Sequence, residues 1–411
     1  SSDLVPPVVD DLKIRASIGQ TGTEKDVKLF DYLSGYTWNN GNAVLDGELV
    51  TGLNQRGLPI TNLSWTKNTT SNIGFDLTMF NNRLKITADA FRKDITGVPA
   101  ARYDVLLPSE VGYTLPNENL NKQAYIGAEG MVTWTDHIGD LNYTVSGNFT
   151  FSRYKSIETY KPRFNNSWDE YRNSAEGRWG GIYWGYQVIG QFQSEEEIRN
   201  YPVNLDGNNN RTLLPGDFIY KDVNGDGIIN GMDERPIGYP EGWAPIMSFG
   251  GNIGLAWKGI DLNIDLSGGA MQGWRQNYEL ANAYHGNGNS PVYLLEDRWH
   301  RADLYDPESE WIPGRYPAIR KGEFSYNNKN SDFWLHNVRY LRIKNLEVGY
   351  SLPAQLLRPI RAQKVRIYAN VSNLCSFDNV GKFGVDPEIT AAAAVVYPQQ
   401  RTFLLGFNIT Y

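Results

Sequence analysis

The amino-acid sequence predicts an all-β protein, an antiparallel transmembrane β-barrel of which about ten strands lie in this chain. Two observations predict this class: polar and apolar residues alternate in ten segments, and short and long connections between these segments also alternate. Strict alternation gives each strand one apolar and one polar face. The segments have the length needed to cross a bilayer as tilted strands.

Each predicted strand carries apolar residues at every second position. The clearest is 141–151, in which Leu141, Tyr143 and Val145 alternate with polar neighbours. The segment 341–352 changes phase, which predicts a β-bulge near Asn345. The ten predicted strands are 12–18, 72–79, 84–90, 126–134, 141–151, 253–257, 260–266, 341–352, 365–371 and 403–411.

The connections between these segments are sharply unequal in length. Four are short, at 81–83, 135–140, 258–259 and 353–363, and five are long, at 20–71, 97–123, 153–249, 268–340 and 373–401. Outer-membrane barrels have short periplasmic turns and long extracellular loops. A soluble sandwich has no reason to keep its long loops at one end.

Composition and charge exclude several other classes. The 411-residue chain has a formal net charge of −7, and no apolar run is long enough for a transmembrane helix. Its mean hydropathy of −0.47 would suggest a soluble protein, but alternating strands have a polar average. The mild acidity argues against a nucleic-acid partner. The single cysteine, Cys375, excludes an internal disulfide framework.

The sequence contains no recognisable catalytic constellation. Its four histidines lack metal-ligand spacing, and no strand-to-helix nucleophile motif is present. Ser194 and Glu197 have the spacing of a capping box and predict a helix start rather than an acid–base pair. We therefore expect a protein that is not an enzyme.

An acid-rich segment at 222–233 matches the template of a calcium-binding loop. Oxygen-bearing residues occupy alternate positions, and Gly227 permits the sharp turn that such loops need. Asp233 stands where the template has a longer Glu. The alternative is a surface turn rich in Asp and Asn without metal. The expected ligands of a structural calcium ion are Asp222, Asn224, Asp226, Ile228, Asn230 and Asp233.

Aromatic residues are concentrated in the long connections. Trp179, Tyr183 and Trp184 belong to the densest cluster, and Trp274 lies in a later long connection. Aromatic faces bind sugar rings and anchor peptides, so these four residues are candidates for substrate binding. The alternative is that they form the core of a folded loop.

Several motifs together show a resemblance to the SusC/RagA family of TonB-dependent outer-membrane importers. The resemblance covers essentially the whole chain, which is similar to the C-terminal half of the family's proteins. The motifs are Leu12-Lys-Ile-Arg-Ala-Ser-Ile-Gly-Gln-Thr-Gly22, the segments 62–67, 72–76 and 80–84, Gly216-Asp217, Tyr220-Lys-Asp-Val-Asn-Gly-Asp-Gly227, the segment 340–353, Gly384-Val-Asp-Pro-Glu388 and the segment 397–403.

The resemblance implies that residues 1–411 form the C-terminal portion of a barrel of about 22 strands. The family's plug, TonB box and N-terminal domain have no counterpart in this sequence, which also begins without Met, so we expect a mature or truncated product. The implied function is TonB-dependent uptake of oligosaccharides or peptides across the outer membrane of a Gram-negative bacterium. The implied partners are a SusD-like lipoprotein that caps the extracellular loops and TonB with ExbB and ExbD.

The last segment is expected to face membrane lipid with its apolar side, while Asn408 and Thr410 face the lumen. By resemblance, Phe403, Phe407 and Tyr411 belong to the signal for barrel assembly. The main alternative is a soluble, calcium-stabilised carbohydrate-binding β protein, which does not explain one-sided long loops. A barrel hydrolase is a third reading.

Overall fold

A computed structural model describes the chain at residues 8–24, 32–55, 58–60, 62, 64–102, 104–108, 110, 115–242, 244–320, 324–388 and 399–411. Two of the sequence motifs extend outside these residues, at Leu63 and at 397–398. No helix in the described ranges is both long enough and apolar enough to cross a membrane.

Long β-strands dominate the secondary structure. In chain order the strands are β1 Val9–Thr23, β2 Tyr36–Leu45, β3 Glu48–Gln55, β4 Thr66–Met79, β5 Leu84–Ala100, β6 Glu118–Ile138, β7 Leu141–Glu158, β8 Tyr183–Gly185, β9 Val188–Gln191, β10 Phe218–Tyr220, β11 Arg235–Gly238, β12 Met247–Trp257, β13 Ile260–Arg275, β14 His300–Arg301, β15 Trp311–Ile312, β16 Leu335–Ser351, β17 Lys364–Asp378 and β18 Thr402–Thr410.

Helices are few and short in the described residues. The α-helices are α1 Ser167–Asn173, α2 Glu195–Asn200, α3 Val292–Glu296 and α4 Ala354–Leu357. The predicted helix start is confirmed in α2, because the Ser194 side chain accepts a hydrogen bond from the backbone N–H of Glu197. Single 3₁₀ turns occur at Gly231–Asp233, Tyr278–Leu280, His285–Asn287, Arg358–Ile360 and Gly381–Phe383.

Ten strands form one sheet in the order β1-β4-β5-β6-β7-β12-β13-β16-β17-β18. Each of the ten predicted segments corresponds to one of these strands, and only Leu352 and Tyr411 fall one residue outside, so the predicted antiparallel fold is confirmed. Short turns such as 258–259 alternate with long connections such as 276–334. Because strands that follow each other in the chain are antiparallel, this order places the short turns at one end of the strands and the long connections at the other end.

The first of two compact units comprises residues 1–81, 85–130 and 150–180. Arg15 on β1 is paired in register with Gly74 on β4 and reaches across it to Asp89 on β5, 2.8 Å away. A Cβ atom at Gly74 would overlap the Asp89 carboxylate. Glycine thus opens the path for an ion pair that joins the strands on either side.

The second unit comprises residues 82–84, 131–149 and 181–411. Its strands have two chemically distinct faces. Tyr350, Ile367 and Phe407 are in register across β16, β17 and β18 and are exposed. The opposite face carries polar side chains, among them Glu347 and Asn370, which hydrogen-bond each other at 3.2 Å.

Polar side chains on that opposite face join four strands. Asn252 donates to Asp265 at 2.7 Å, and Asn370 donates to Asn345 at 2.8 Å. Arg366 on β17 pairs with Asp261 on β13, and a Cβ atom at Gly349 on the intervening strand would overlap its guanidinium. The polar face is therefore internally hydrogen-bonded, whereas the side chains of Tyr350, Ile367 and Phe407 on the apolar face are exposed.

The predicted bulge near Asn345 is confirmed. Asp265 pairs with Asn345, but the next residue of β13, Leu266, pairs with Ile343. Lys344 is the extra residue, and this shift explains why the alternation changes phase within β16.

Aromatic rings cover glycines on neighbouring strands of the second unit. Phe249 lies over its register partner Gly268, and Tyr368 lies over its partner Gly406. A Cβ atom at either glycine would collide with the ring. Gly268 and Gly406 are therefore sites for cross-strand aromatic packing.

Candidate functional site

The long connections of the second unit fold into a body with its own core, which we call the loop body (181–246 and 276–334). Its buried side chains form one hydrophobic cluster: Phe192, Ile198, Leu205, Leu213, Phe218, Ile219, Tyr220, Ile229, Leu294, Tyr316, Tyr326 and Trp334. Two pairs of these rings meet edge to face, Phe218 with Trp334 and Tyr220 with Tyr326, whose centroids are 5.9 and 5.1 Å apart. The connections are thus ordered structure and can position side chains for binding.

A buried carboxylate lies at the centre of the loop body. Asp217 is 0% exposed and pairs with the guanidinium of Arg320. It also accepts hydrogen bonds from the Asn327 side chain at 2.7 Å and from the backbone N–H of Leu214 at 2.8 Å. Burial raises the pKa of Asp217 even though Arg320 opposes that change. The ion pair therefore offsets only part of the desolvation cost.

A lysine is enclosed by three aromatic rings of the loop body. The Lys329 ammonium lies 5.0 Å from the ring centroid of Tyr186, 5.4 Å from that of Tyr220 and 5.1 Å from that of Tyr326. Burial lowers the pKa of Lys329. These contacts connect three separate loop segments by cation–π attraction.

The acid-rich segment 222–233 forms a tight turn held by its own side chains. Asp222 accepts hydrogen bonds from the backbone N–H groups of Gly225 and Gly227, at 2.7 and 2.8 Å. Gly227 has φ of +80°, which is the sharp turn that the calcium-loop template predicts. Asp226 accepts from the backbone of Ile228 at 2.9 Å.

The side chains of Asp233 and Asn230, like those of Asp222 and Asp226, accept hydrogen bonds within the turn. Asp233 is 1% exposed and accepts hydrogen bonds from the backbone N–H groups of Val223 and Asn230. The Asn230 side chain accepts from the N–H of Met232. Among the described residues, no three His, Cys, Asp and Glu side chains form a group able to hold a metal. The six-residue calcium site therefore stays a prediction, and of its polar residues Asn224 and Asp226 are exposed.

The four aromatic residues predicted to bind substrate have different surroundings. Trp179, in the first unit, packs between Arg153 and Lys155, with cation-to-centroid distances of 5.5 and 5.4 Å. In the second unit, Trp274 is buried and stacks on His336. Trp184 is half-buried and pairs with Pro236 of β11.

Tyr183, the fourth candidate, takes part in a polar cluster. Its hydroxyl donates to Glu241 at 3.2 Å, and Arg275 interacts with both groups. Burial and the neighbouring carboxylate raise the pKa of Tyr183 to about 12. Arg275, which interacts with Tyr183 and directly follows Trp274, lines a concave surface.

That surface is a pocket of about 180 Å³ that sequence reasoning did not find. It is formed where β13 continues into the segment 276–288, with the buried Trp334 as one of its lining residues. We call it the amide pocket and define it by Gln276, Tyr278, Asn282, His285, Asn328 and Trp334. A smaller recess of about 60 Å³ shares Asn282, Asn328 and Trp334 with it.

The backbone beside the amide pocket is strained. Tyr278, Tyr284 and Asn287 have φ values of +49°, +61° and +62°. A left-handed conformation costs a residue with a bulky side chain about 1–2 kcal/mol. Strain of this kind persists where the surrounding structure fixes it, and it clusters at ligand sites.

The predicted assembly residues Phe403, Phe407 and Tyr411 lie at or beside β18 with exposed side chains. Asn408 is in register with Arg366, so it lies on the polar face as the alternation predicts.

The sheet is antiparallel and has one exposed apolar face. Its strands have short turns at one end and long, folded connections at the other. These features together define the class of large outer-membrane β-barrels. Comparisons with known proteins identify the relatives within that class. TonB-dependent receptor P3 of Formosa agariphila is 25% identical over 97% of this chain and 39% of its own length. TonB-dependent receptor SusC of Bacteroides thetaiotaomicron is 25% identical over 98% of this chain and 38% of its length.

Solved structures show the same fold. The RagAB peptide importer in its open-open state matches 99% of this chain and 41% of its own chain, with a TM-score of 0.70 and 20% identity. Its closed-closed state matches with a TM-score of 0.67. No family model matches the chain.

The predicted resemblance to SusC/RagA-type TonB-dependent receptors is thus confirmed in both sequence and fold. The chain spans about two fifths of the length of these relatives. The relatives are named as receptors and importers, not as enzymes.

Proposed function

We propose that this chain forms part of the barrel wall and the extracellular loops of a TonB-dependent outer-membrane importer. Its substrates are oligosaccharides or peptides, and it acts with a SusD-like lipoprotein that caps the loops. TonB with ExbB and ExbD supplies the energy. The chain contributes binding and gating, since no bond chemistry is expected of it.

The observation that carries this proposal is the exposed apolar face of the strands. Leu405 is 80% and Phe407 69% exposed, and Tyr350 and Ile367 continue the exposed surface across neighbouring strands. A soluble protein rarely leaves so large an apolar patch in water, whereas a bilayer covers it. The relatives and the solved fold support the same function.

The opposite face supports passage of polar molecules. Its amide and carboxylate groups hydrogen-bond one another across β12, β13, β16 and β17. A polar interior is what outer-membrane barrels present to a solute or to a plug.

Purification of the tagged protein from its native organism tests the proposal. We expect the protein in the outer-membrane fraction, extracted only with detergent and accompanied by a lipoprotein of the SusD type. Deletion of its gene should abolish uptake of one class of oligosaccharide or peptide, and loss of TonB should have the same effect. A monodisperse protein obtained without detergent would instead support the soluble carbohydrate-binding alternative.

We further propose that the segment 222–233 binds a structural calcium ion through Asp222, Asn224, Asp226 and the Ile228 carbonyl. Two carboxylates, one amide and one carbonyl provide oxygen ligands of the type calcium prefers, with water completing the set. Asp233 and Asn230 support the turn through the hydrogen bonds described above. The absence of heat in calorimetry at millimolar calcium would contradict this proposal.

A further inference from the structure

The amide pocket combines features that the function proposed above does not use. Of the described residues that line it, none is an Asp or Glu, whereas amide and aromatic side chains predominate. Arg275 is the one permanent cation at its edge, and Glu241 lies close enough to interact with it. The local charge is therefore balanced, which favours an uncharged ligand.

Two asparagines present a matched donor and acceptor in the pocket. The Asn328 side chain donates to the carbonyl oxygen of the Asn282 side chain. This bond leaves the Asn282 amide group as a donor and the Asn328 carbonyl as an acceptor. A pair of neighbouring hydroxyl groups, each both donor and acceptor, satisfies this arrangement.

The pocket wall is held rigid by buried hydrogen bonds. The Gln276 side chain donates to the backbone carbonyl of Leu280 at 2.6 Å and contacts the Nε2 atom of His336 at 3.1 Å. Trp334 donates from its indole to the Asn327 carbonyl at 2.7 Å. A pre-organised wall loses little conformational freedom when a ligand binds.

Two exposed tyrosines stand on the strained backbone beside the pocket. Tyr278 is 49% and Tyr284 55% exposed, and both have left-handed φ values. Neither ring is used in the core of the loop body. The Tyr278 ring contacts the ring of His285, another lining residue, with centroids 5.3 Å apart, so it is held beside the pocket with about half of its surface exposed. Strained backbone that holds a ring in such a place is typical of ligand sites.

We propose that the amide pocket is a subsite for one ring of a neutral oligosaccharide. The apolar face of the sugar stacks on Tyr278, and its hydroxyl groups bond to Asn282 and Asn328. The pocket volume of about 180 Å³ is below the roughly 300–1,000 Å³ of a site for a whole drug-sized ligand, so it holds one ring of a longer chain. This inference rests on the proposed importer function and names its substrate class.

Calorimetry on the protein purified from its native membrane, with its co-purifying chains, tests the inference. The probes are the neutral hexasaccharides maltohexaose, cellohexaose, mannohexaose and xylohexaose, a hexagalacturonate and an uncharged hexapeptide. We expect at least one neutral hexasaccharide to bind. Tyr278→Gly should weaken that binding at least tenfold, and Asn282→Ala should weaken it by a similar factor.

The choice of Tyr278→Gly separates loss of a contact from loss of folding. Glycine adopts the left-handed conformation at no steric cost, so the thermal midpoint of this variant should not fall. Tyr278→Phe retains the ring and should retain binding. Ile189→Ala is the matched control, because it removes another exposed apolar side chain of the loop body.

Three results would overturn the inference: no neutral hexasaccharide binds, its binding is unchanged in both Tyr278→Gly and Asn282→Ala, or the charged saccharide or the peptide binds in a Tyr278-dependent way. These results are separable from failure of the proposed function. An outer-membrane protein with its lipoprotein partner but without this subsite contradicts the inference alone. A protein found in the soluble fraction contradicts the proposed function.

Discussion

The buried ion pair at Asp217 gives the sharpest test of how the loop body is held together. Replacing Asp217 by Ala removes three hydrogen bonds, from Arg320, Asn327 and the Leu214 backbone. It also leaves the guanidinium of Arg320, whose side chain is 17% exposed, without its carboxylate. Breaking a buried pair by removing one partner costs about 3–5 kcal/mol.

The expected cost comes mainly from the isolated cation. Because burial raises the pKa of Asp217 in the intact protein, the pair itself is not strongly stabilising. Removing both charges in Asp217→Ala with Arg320→Met should therefore cost less than Asp217→Ala alone. A double variant that is less stable than Asp217→Ala alone would contradict this account.

Hydrogen exchange measured by mass spectrometry reports the change locally. A loss of 3 kcal/mol in stability raises the exchange rate about 100-fold for amides that exchange only when the loop body opens. Peptides covering 214–220 and 324–334 should show this increase, whereas the strand β13 should not. Glu196→Ala, at an exposed carboxylate of α2, is the control and should leave exchange within about threefold. Unchanged exchange in Asp217→Ala would refute the reasoning.

Three further predictions address the sheet, the aromatic core and the calcium proposal. Gly349→Ala should displace Arg366 from Asp261 and lower the free energy of unfolding by about 1–3 kcal/mol, measured by thermal unfolding in detergent. Gly19→Ala is the control and should cost far less, because no atom lies within 4 Å of a Cβ at that position. Burial raises the pKa of Tyr326, so its contribution to stability is complete below pH 10 and is lost as the pH rises further. Near-ultraviolet circular dichroism should show the loop body opening above that pH, with a shallower dependence in Tyr326→Phe; equal slopes would contradict this. Asp226→Asn should weaken calcium binding in calorimetry while Glu196→Ala does not, and equal heats would exclude Asp226 as a ligand.

The sequence predicted the ten sheet strands because alternation is enforced wherever one face meets lipid and the other a polar interior. It predicted several strands too short. The segment predicted as 84–90 extends to Ala100, and the one predicted as 126–134 begins at Glu118. Beyond the bilayer both faces meet water, so alternation fades although the hydrogen-bonded ladder continues.

The hairpin of β2 and β3 lies within a segment predicted as a loop. Its signal was present in Asp46-Gly47, whose φ values of +52° and +83° suit a tight hairpin turn. The sharp turn of the calcium-type segment was recognised because each of its requirements is local. In contrast, Asn282 and Asn328 are 46 residues apart and meet only through tertiary folding, so no local pattern predicts the amide pocket.

The abundance of aromatic residues in the long connections has two physical causes that composition cannot separate. Trp334 and Trp299 are buried in the loop body. A body folded from long connections, with only two-stranded sheets, needs large side chains to build its core. Tyr278 and Tyr284 are exposed on strained backbone, which adds nothing to that core. The two groups differ in burial. We therefore expect binding at the segment 276–288, which has fewer aromatic residues, rather than at the densest aromatic cluster. The aromatic density of a loop therefore predicts that the loop folds, whereas exposure combined with backbone strain indicates where it binds.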